Sequence, residues 1–296
     1  MLHINSGYYF ALVAALIWSG FIIVSRMGGI SALEAYDIIA IRYTTCALIV
    51  LPIWWFKLRF NLLDKKLIAC SLIGGLAYAL CTFHGFEYAP ASHAAVLLPG
   101  LMPLFIIVFS FLINGERHAF EKWLGIGIIT LGILTLFVPL LSAQQGLTIG
   151  HLYLLGGSVC WSLFSILIKR WGITPWQVTV SLAVVTCVFY MPVYLTMLPN
   201  NLSMAMIDTI AIQAVYQGFL ATIVQVLCYV RAVQSIGPSS MGAMMAIVPL
   251  VSGITAIFVF GEVVSVTLIA GLSLVSFGAF LAHQTWFTNG KVRLFR

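Results

Sequence analysis

The chain has 296 residues, 62% of them hydrophobic and 7% charged, with a mean hydropathy of +1.09. Soluble globular domains do not reach that composition, so a water-soluble fold is excluded. The formal net charge of +6 calls for no nucleic-acid partner, because the arrangement of the basic residues along the chain accounts for it.

A hydrocarbon core about 30 Å thick takes roughly 20 apolar residues of helix per crossing. Windows of that length predict spans at 7–27, 37–56, 67–87, 92–113 and 123–141, then at 151–169, 176–198, 209–230, 238–260 and 266–286. Such runs are too long and too continuous for barrel strands, which need only about 9–11 alternating residues. The expected fold class is an all-α integral membrane protein. The start of the chain lacks a basic region ahead of its first apolar run and Leu2 is no myristoylation site, so neither a cleaved signal peptide nor a lipid anchor is expected. Cys46, Cys70, Cys81, Cys160, Cys187 and Cys228 all fall within spans and form no C-x-x-C pair. They read as small packing residues, with no metal site and no disulfide framework.

With ten spans, both termini share one side with the loops that follow each even-numbered span. Twelve Lys and Arg residues fall on that side, among them Lys57, Lys66, Arg117, Arg170, Lys291 and Arg296, against Arg26 alone on the other; Arg42 lies within the second span. Short cytoplasmic loops are enriched in such residues. The expected location is the inner or plasma membrane, multi-pass, with both termini cytoplasmic.

The two halves repeat each other. Trp18-Ser19 returns as Trp161-Ser162, and Arg26 as Lys169, at a shift of 143. Ala89-Pro90-Ala91-Ser92 resembles Gly237-Pro238-Ser239-Ser240, and Pro103 returns as Pro249 and Gly115-Glu116 as Gly261-Glu262 at a shift of 146. Residues 1–145 and 146–296 therefore read as two five-helix repeats, and an odd number of crossings inverts one repeat relative to the other. Inverted-repeat carriers bind substrate near the midplane between their halves.

These motifs, with Arg42-Tyr43, Tyr216-Gln217-Gly218, Ala221-Thr222 and Tyr229-Val230-Arg231-Ala232, resemble the EamA branch of the drug/metabolite transporter superfamily over essentially the whole chain. The resemblance implies alternating-access transport of small metabolites, most often export of amino acids or related compounds. Uptake of an adenosylated metabolite such as S-adenosylmethionine is an alternative. His93 departs from the pattern, which carries a small residue at that position.

Ionisable groups within spans are costly and default to functional hypotheses. Arg42, His84, Glu87 and His93 are expected to cluster in the outer third of the first repeat. Arg42 could hold a substrate carboxylate or phosphate through its planar fork, or form a structural ion pair with Glu87. His84 and His93 could titrate, or simply pack. Trp18 and Trp161 lie mid-span, where their indole N–H groups need Ser19, Ser162 or a substrate as partner. Tyr78, Tyr216, Gln217 and Gln225 are further mid-span polar groups that could face the same cavity. Pro99, Pro103 and Pro249 mark kinks that could act as hinges or be static bends. Gly115 and Gly261 suit helix C-caps, with each following glutamate at the start of the next helix. No P-loop, H-E-x-x-H or G-x-S-x-G motif appears, so no catalytic residues, cofactor or metal are expected. A membrane scaffold or an intramembrane enzyme is the rival class. The expected partners are the lipid bilayer and a small-molecule substrate, with a homodimer allowed for.

Overall fold

A computed structural model describes residues 2–116, 120–138, 146–202 and 207–283. The expected ends of the fifth and tenth spans, Leu141 and Trp286, lie outside these residues, as do Arg117, Lys291, Arg293 and Arg296. The fold is ten membrane-spanning helices in two inverted five-helix repeats. In chain order these are α1 (Leu2–Gly29), α2 (Ala35–Leu58), α3 (Lys65–Tyr88), α4 (Ala91–Asn114) and α5 (Phe120–Phe137), then α6 (Ile149–Arg170), α7 (Pro175–Met197), α8 (Ile207–Ile236), α9 (Pro238–Phe260) and α10 (Val266–His283). No strand occurs among the described residues.

The halves pack on each other through matched helices. α3 lies against α6 as α1 lies against α8, and α2 meets α7, α4 meets α9 and α5 meets α10. Between α5 and α10, small residues at matched positions bring the backbones together. A Cβ added at Gly132 would stand 2.9 Å from Val275 N, and one at Gly278 would stand 2.7 Å from Gly125 O. Lipid offers no hydrophobic drive for helix association, so this close approach supplies van der Waals contact in its place.

Four helices depart from regular geometry where the site is built. α4 breaks between Leu97 and Met102, and α9 breaks at Met245–Ala246. Under the shift of 146 these breaks coincide, which places the expected bends of Pro99, Pro103 and Pro249 at equivalent points. Proline cannot donate, so each bend frees backbone groups. α3 widens into π turns over Leu72–Ala77 and α8 over Ala214–Val224, again at overlapping repeat positions. A carbonyl in the α3 turn, Gly75 O, accepts from Tyr43 Oη at 3.0 Å. In lipid every such group must find a partner inside the protein.

Candidate functional site

The widened turns end at Tyr78 and Gln225, and they turn both side chains towards the middle of the bundle. There a small cavity of about 10 Å³, room for roughly one water, is lined by Trp18, Phe21, Arg42, Tyr78, Trp161, Ala221 and Gln225. Its walls come from α1, α2 and α3 of one repeat and α6 and α8 of the other. Trp18 and Trp161 meet edge to face at 4.9 Å, Tyr78 lies 4.7 Å from Trp161, and Tyr229 closes the cluster at 5.3 Å from Trp161.

Arg42 is 3% exposed. Its guanidinium carbon sits 5.3 Å from the Phe21 ring, 5.5 Å from Tyr43 and 5.7 Å from Phe83, which gives cation–π stabilisation. Nη1 donates to Gln217 Oε1 at 3.4 Å, and Gln217 is oriented by donating its own amide to Ser25 Oγ at 3.0 Å. Four buried nitrogens at this cavity have no hydrogen-bond partner: Trp18 Nε1, Arg42 Nε, Trp161 Nε1 and Gln225 Nε2. The Tyr229 hydroxyl faces Trp161 but is engaged with Ser165 Oγ at 2.6 Å. Buried donors are nearly always satisfied, so such a concentration calls for an explanation.

Several expectations are corrected. Arg42 and Glu87 do not pair. Glu87 Oε1 instead accepts from Ala35 N at 2.7 Å at the start of α2, while Arg42 is held among aromatic rings. Arg42 thus stands apart from the expected outer cluster, whereas His84 stays close enough to Glu87 to act on it electrostatically. Ser19 donates back to Ala15 O at 2.9 Å and Ser162 faces Met102 O at 3.5 Å, so neither serine serves an indole. Tyr216 bridges α8 to α1 by donating to Ile17 O at 2.9 Å and does not line the cavity. Gln217 reaches the site only through Arg42.

His93 is also remote from the cavity. Its Nδ1 lies 3.0 Å from His151 Nε2, and both rings meet Phe137 edge to face. His151 Nδ1 accepts from Thr148 N at 2.9 Å, so a neutral His151 carries its proton on Nε2 and donates it to His93. His84 bonds Leu80 O at 2.8 Å and packs on Tyr36. The sequence does not single out Phe21, and it marks Ala221 and Tyr229 only as parts of motifs and not as cavity residues, because hydropathy places a residue in depth but not around the helix axis. His151 was passed over because it reads as the first residue of a span.

Gly115 and Gly261 do end their helices in the left-handed conformation, with φ of +68° and +63°. Glu262, however, does not serve the helix that follows it. Its two carboxylate oxygens accept from Ala91 N at 2.7 Å and Ser92 N at 3.0 Å, capping α4 in the other repeat. Among the described residues, no group of three or more His, Cys, Asp or Glu side chains is placed to hold a metal. A cleft of about 300 Å³ between Phe10, Trp176, Leu227 and Arg231 opens on the apolar flank; unlike the central cavity, it gathers no orphaned donors.

The sequence model of the EamA-like transporter family matches residues 5–138 and 148–283. An uncharacterized transporter of Clostridium kluyveri is 22% identical over 304 residues, covering 95% of this chain and 94% of that protein. The uncharacterized transporter YyaM of Bacillus subtilis is 26% identical over 228 residues, covering 73% of this chain and 72% of its own length. A solved crystal structure, 18% identical, superposes with a TM-score of 0.69 over 94% of this chain and 96% of that one. At that identity the likeness concerns the fold.

Proposed function

The chain belongs to the EamA-like transporter family, and from that premise we propose that it is an alternating-access carrier that exports amino acids or related small metabolites. At the coarser level it is a membrane transporter of small molecules. The observation that carries the finer reading is the cavity between the repeats, walled by the matched Trp18 and Trp161 and holding Arg42 without a carboxylate. A substrate acid group would satisfy the guanidinium, and an apolar side chain would pack on the rings. The rocking units are residues 1–145 and 146–296, with the breaks in α4 and α9 as hinges. The basic-residue asymmetry puts both termini in the cytoplasm of an inner or plasma membrane, and Glu262 on the outer side. The cavity is collapsed in this conformation, so substrate enters only when one side opens.

Uptake of a sulfonium such as S-adenosylmethionine suits the tryptophans but brings a cation beside Arg42, with no carboxylate in the lining to offset it. The experiment is reconstitution into vesicles loaded with labelled leucine, phenylalanine or their oxo acids. Saturable movement across the bilayer, reduced by Trp161→Ala, is the expected result. Chemical conversion of the solute without movement would make the protein an enzyme and overturn the reading.

A further inference from the structure

The fully buried polar atoms of the cavity lining that lack a hydrogen-bond partner are all nitrogen donors. Trp18 Nε1, Trp161 Nε1, Arg42 Nε and Gln225 Nε2 all lack an acceptor, and their side chains are 2–4% exposed. The carboxylates nearest along the chain are committed elsewhere. Asp37 accepts from Tyr194 Oη, Asn201 N and Glu34 N, and Glu87 accepts from Ala35 N. A buried guanidinium with the Gln217 amide, the Tyr43 hydroxyl and three ring faces around it carries a net charge that no carboxylate in the lining neutralises.

We propose that the central site recognises its substrate through one carboxylate, held by Arg42 and the two indole N–H groups, and makes no provision for an ammonium group. The inference rests on the reading that this cavity is the transport site, and it narrows the substrate class to small apolar monocarboxylates in which an α-amine is dispensable. A carboxylate supplies several lone-pair sites to donors that now have none. Its single negative charge matches the single cation in the lining, whereas a phosphate dianion would leave a buried excess of negative charge. An ammonium would place a like charge beside Arg42 and meet no carboxylate in the lining, only the neutral oxygens of Tyr78 and Gln225. The rings of Trp18, Trp161, Phe21 and Tyr78 accept the apolar remainder.

The test uses the purified full-length chain and two matched sets of probes. One set is 3-phenylpropanoate, phenylalanine and phenethylamine; the other is 4-methylpentanoate, leucine and isoamylamine. Affinity is measured by calorimetry alongside the ligand-induced shift in thermal unfolding. Each acid is expected to bind within about tenfold of its amino acid, and each amine at least about tenfold more weakly, given the usual strength of charge-assisted hydrogen bonds. Phenyl phosphate is expected to bind more weakly than 3-phenylpropanoate. Trp18→Phe keeps a ring and removes one N–H, so it should weaken the acids and leave the amines unchanged. Arg42→Gln should erase the preference for acid; should that variant fold poorly, the comparison within the unmodified chain and in Trp18→Phe still decides.

Amines that bind as well as the acids, with binding lost in Trp18→Leu, would sink the carboxylate inference while leaving the cavity as the site. Failure of both acids to bind would also overturn it. Probe binding untouched by Trp18→Leu and Arg42→Gln would remove the cavity reading itself.

Discussion

Glu262 and Glu116 stand at the same point of their repeats, each one residue past a left-handed glycine, yet their carboxylates do different work. Glu262 crosses to the other repeat and closes on the first two N–H groups of α4. Glu116 is exposed, accepts from the Asn114 side-chain amide at 3.2 Å and lies near the Lys122 charge, while its equivalent target, the start of α9 at Ser239 and Ser240, receives no described side chain. The rims around them differ in the same sense. At the Glu262 rim the halves are joined by Thr148 donating to Tyr88 O, Asn201 donating to Ala32 O, Tyr190 donating to Tyr36 O, the Asp37 cluster and the His93–His151 pair. At the Glu116 rim, Arg170 donates to Ile113 O and Arg231 lies over the Phe10 ring. One sequence plan, duplicated and inverted, thus presents two ends held by unequal polar contacts, which is how a symmetric fold can rest in an asymmetric state.

The comparison breaks first at Asp37, which is fully buried and accepts from Tyr194 Oη at 2.6 Å, Asn201 N at 3.0 Å and Glu34 N at 2.9 Å. Asp37→Ala leaves those donors without a charged acceptor and should destabilise the fold by about 3 kcal/mol. Thermal unfolding in detergent measures it, and a loss below about 1 kcal/mol would mean that this cluster does not hold the rim. Glu262→Ala comes next, at about 1–2 kcal/mol, because two N–H groups at a buried helix start lose a partly exposed carboxylate. It should also speed thiol labelling of a cysteine placed at Ser92, whereas a rate equal to that of the parent cysteine variant would detach Glu262 from closure.

A smaller effect is expected at His93. His93→Ala removes the acceptor of the His151 Nε2 proton and a ring that meets Phe137 edge to face. About 1 kcal/mol should be lost, and His93→Asn, which restores an acceptor, should recover part of it. Equal losses in the two variants would assign the effect to ring packing alone.

Depth in the membrane was legible from the sequence; direction around each helix was not. Ten apolar windows and the recurrences of Trp18, Pro103 and Gly115 carry the fold, because lipid demands long apolar helices and duplication leaves matched residues. Mid-span placement likewise marks Trp18, Tyr78, Trp161 and Gln225, and charge within a span marks Arg42; these five share one cavity. Ser19, Ser162 and Tyr216 lie at similar depths but turn to backbone carbonyls, a choice set by rotation about the helix axis. The π turns in α3 and α8 change that rotation locally, and no pattern of residues announces them. Arg42 and Glu87 had opposite charge and similar depth, but Phe21 and Phe83 enclose the first while a helix start claims the second. The bond from Glu262 to Ala91 spans 171 residues, and only the meeting of the two repeats brings these groups together.

The smallest expected effect is the most discriminating. Glu116 is exposed, its described partners are the neighbouring Asn114 side chain and the nearby Lys122 charge, and no described buried N–H depends on it. Glu116→Ala should therefore shift stability by no more than about 0.5 kcal/mol, as surface substitutions usually do. Its repeat equivalent should cost several times as much, although both are glutamates after a glycine in the same sequence context. The pair of variants, measured under one condition, isolates the conformation from the chemistry of the residue. Were Glu116→Ala to cost as much as Glu262→Ala, the resting population would include molecules in which Glu116 caps Ser239 and Ser240, and the two ends would be exchanging roles at equilibrium. A cysteine at Ser239 would then label more slowly in the parent than in the Glu116→Ala background. If instead Ser239 labels fast in both backgrounds and Ser92 only after loss of Glu262, the unequal rims belong to the dominant state in solution.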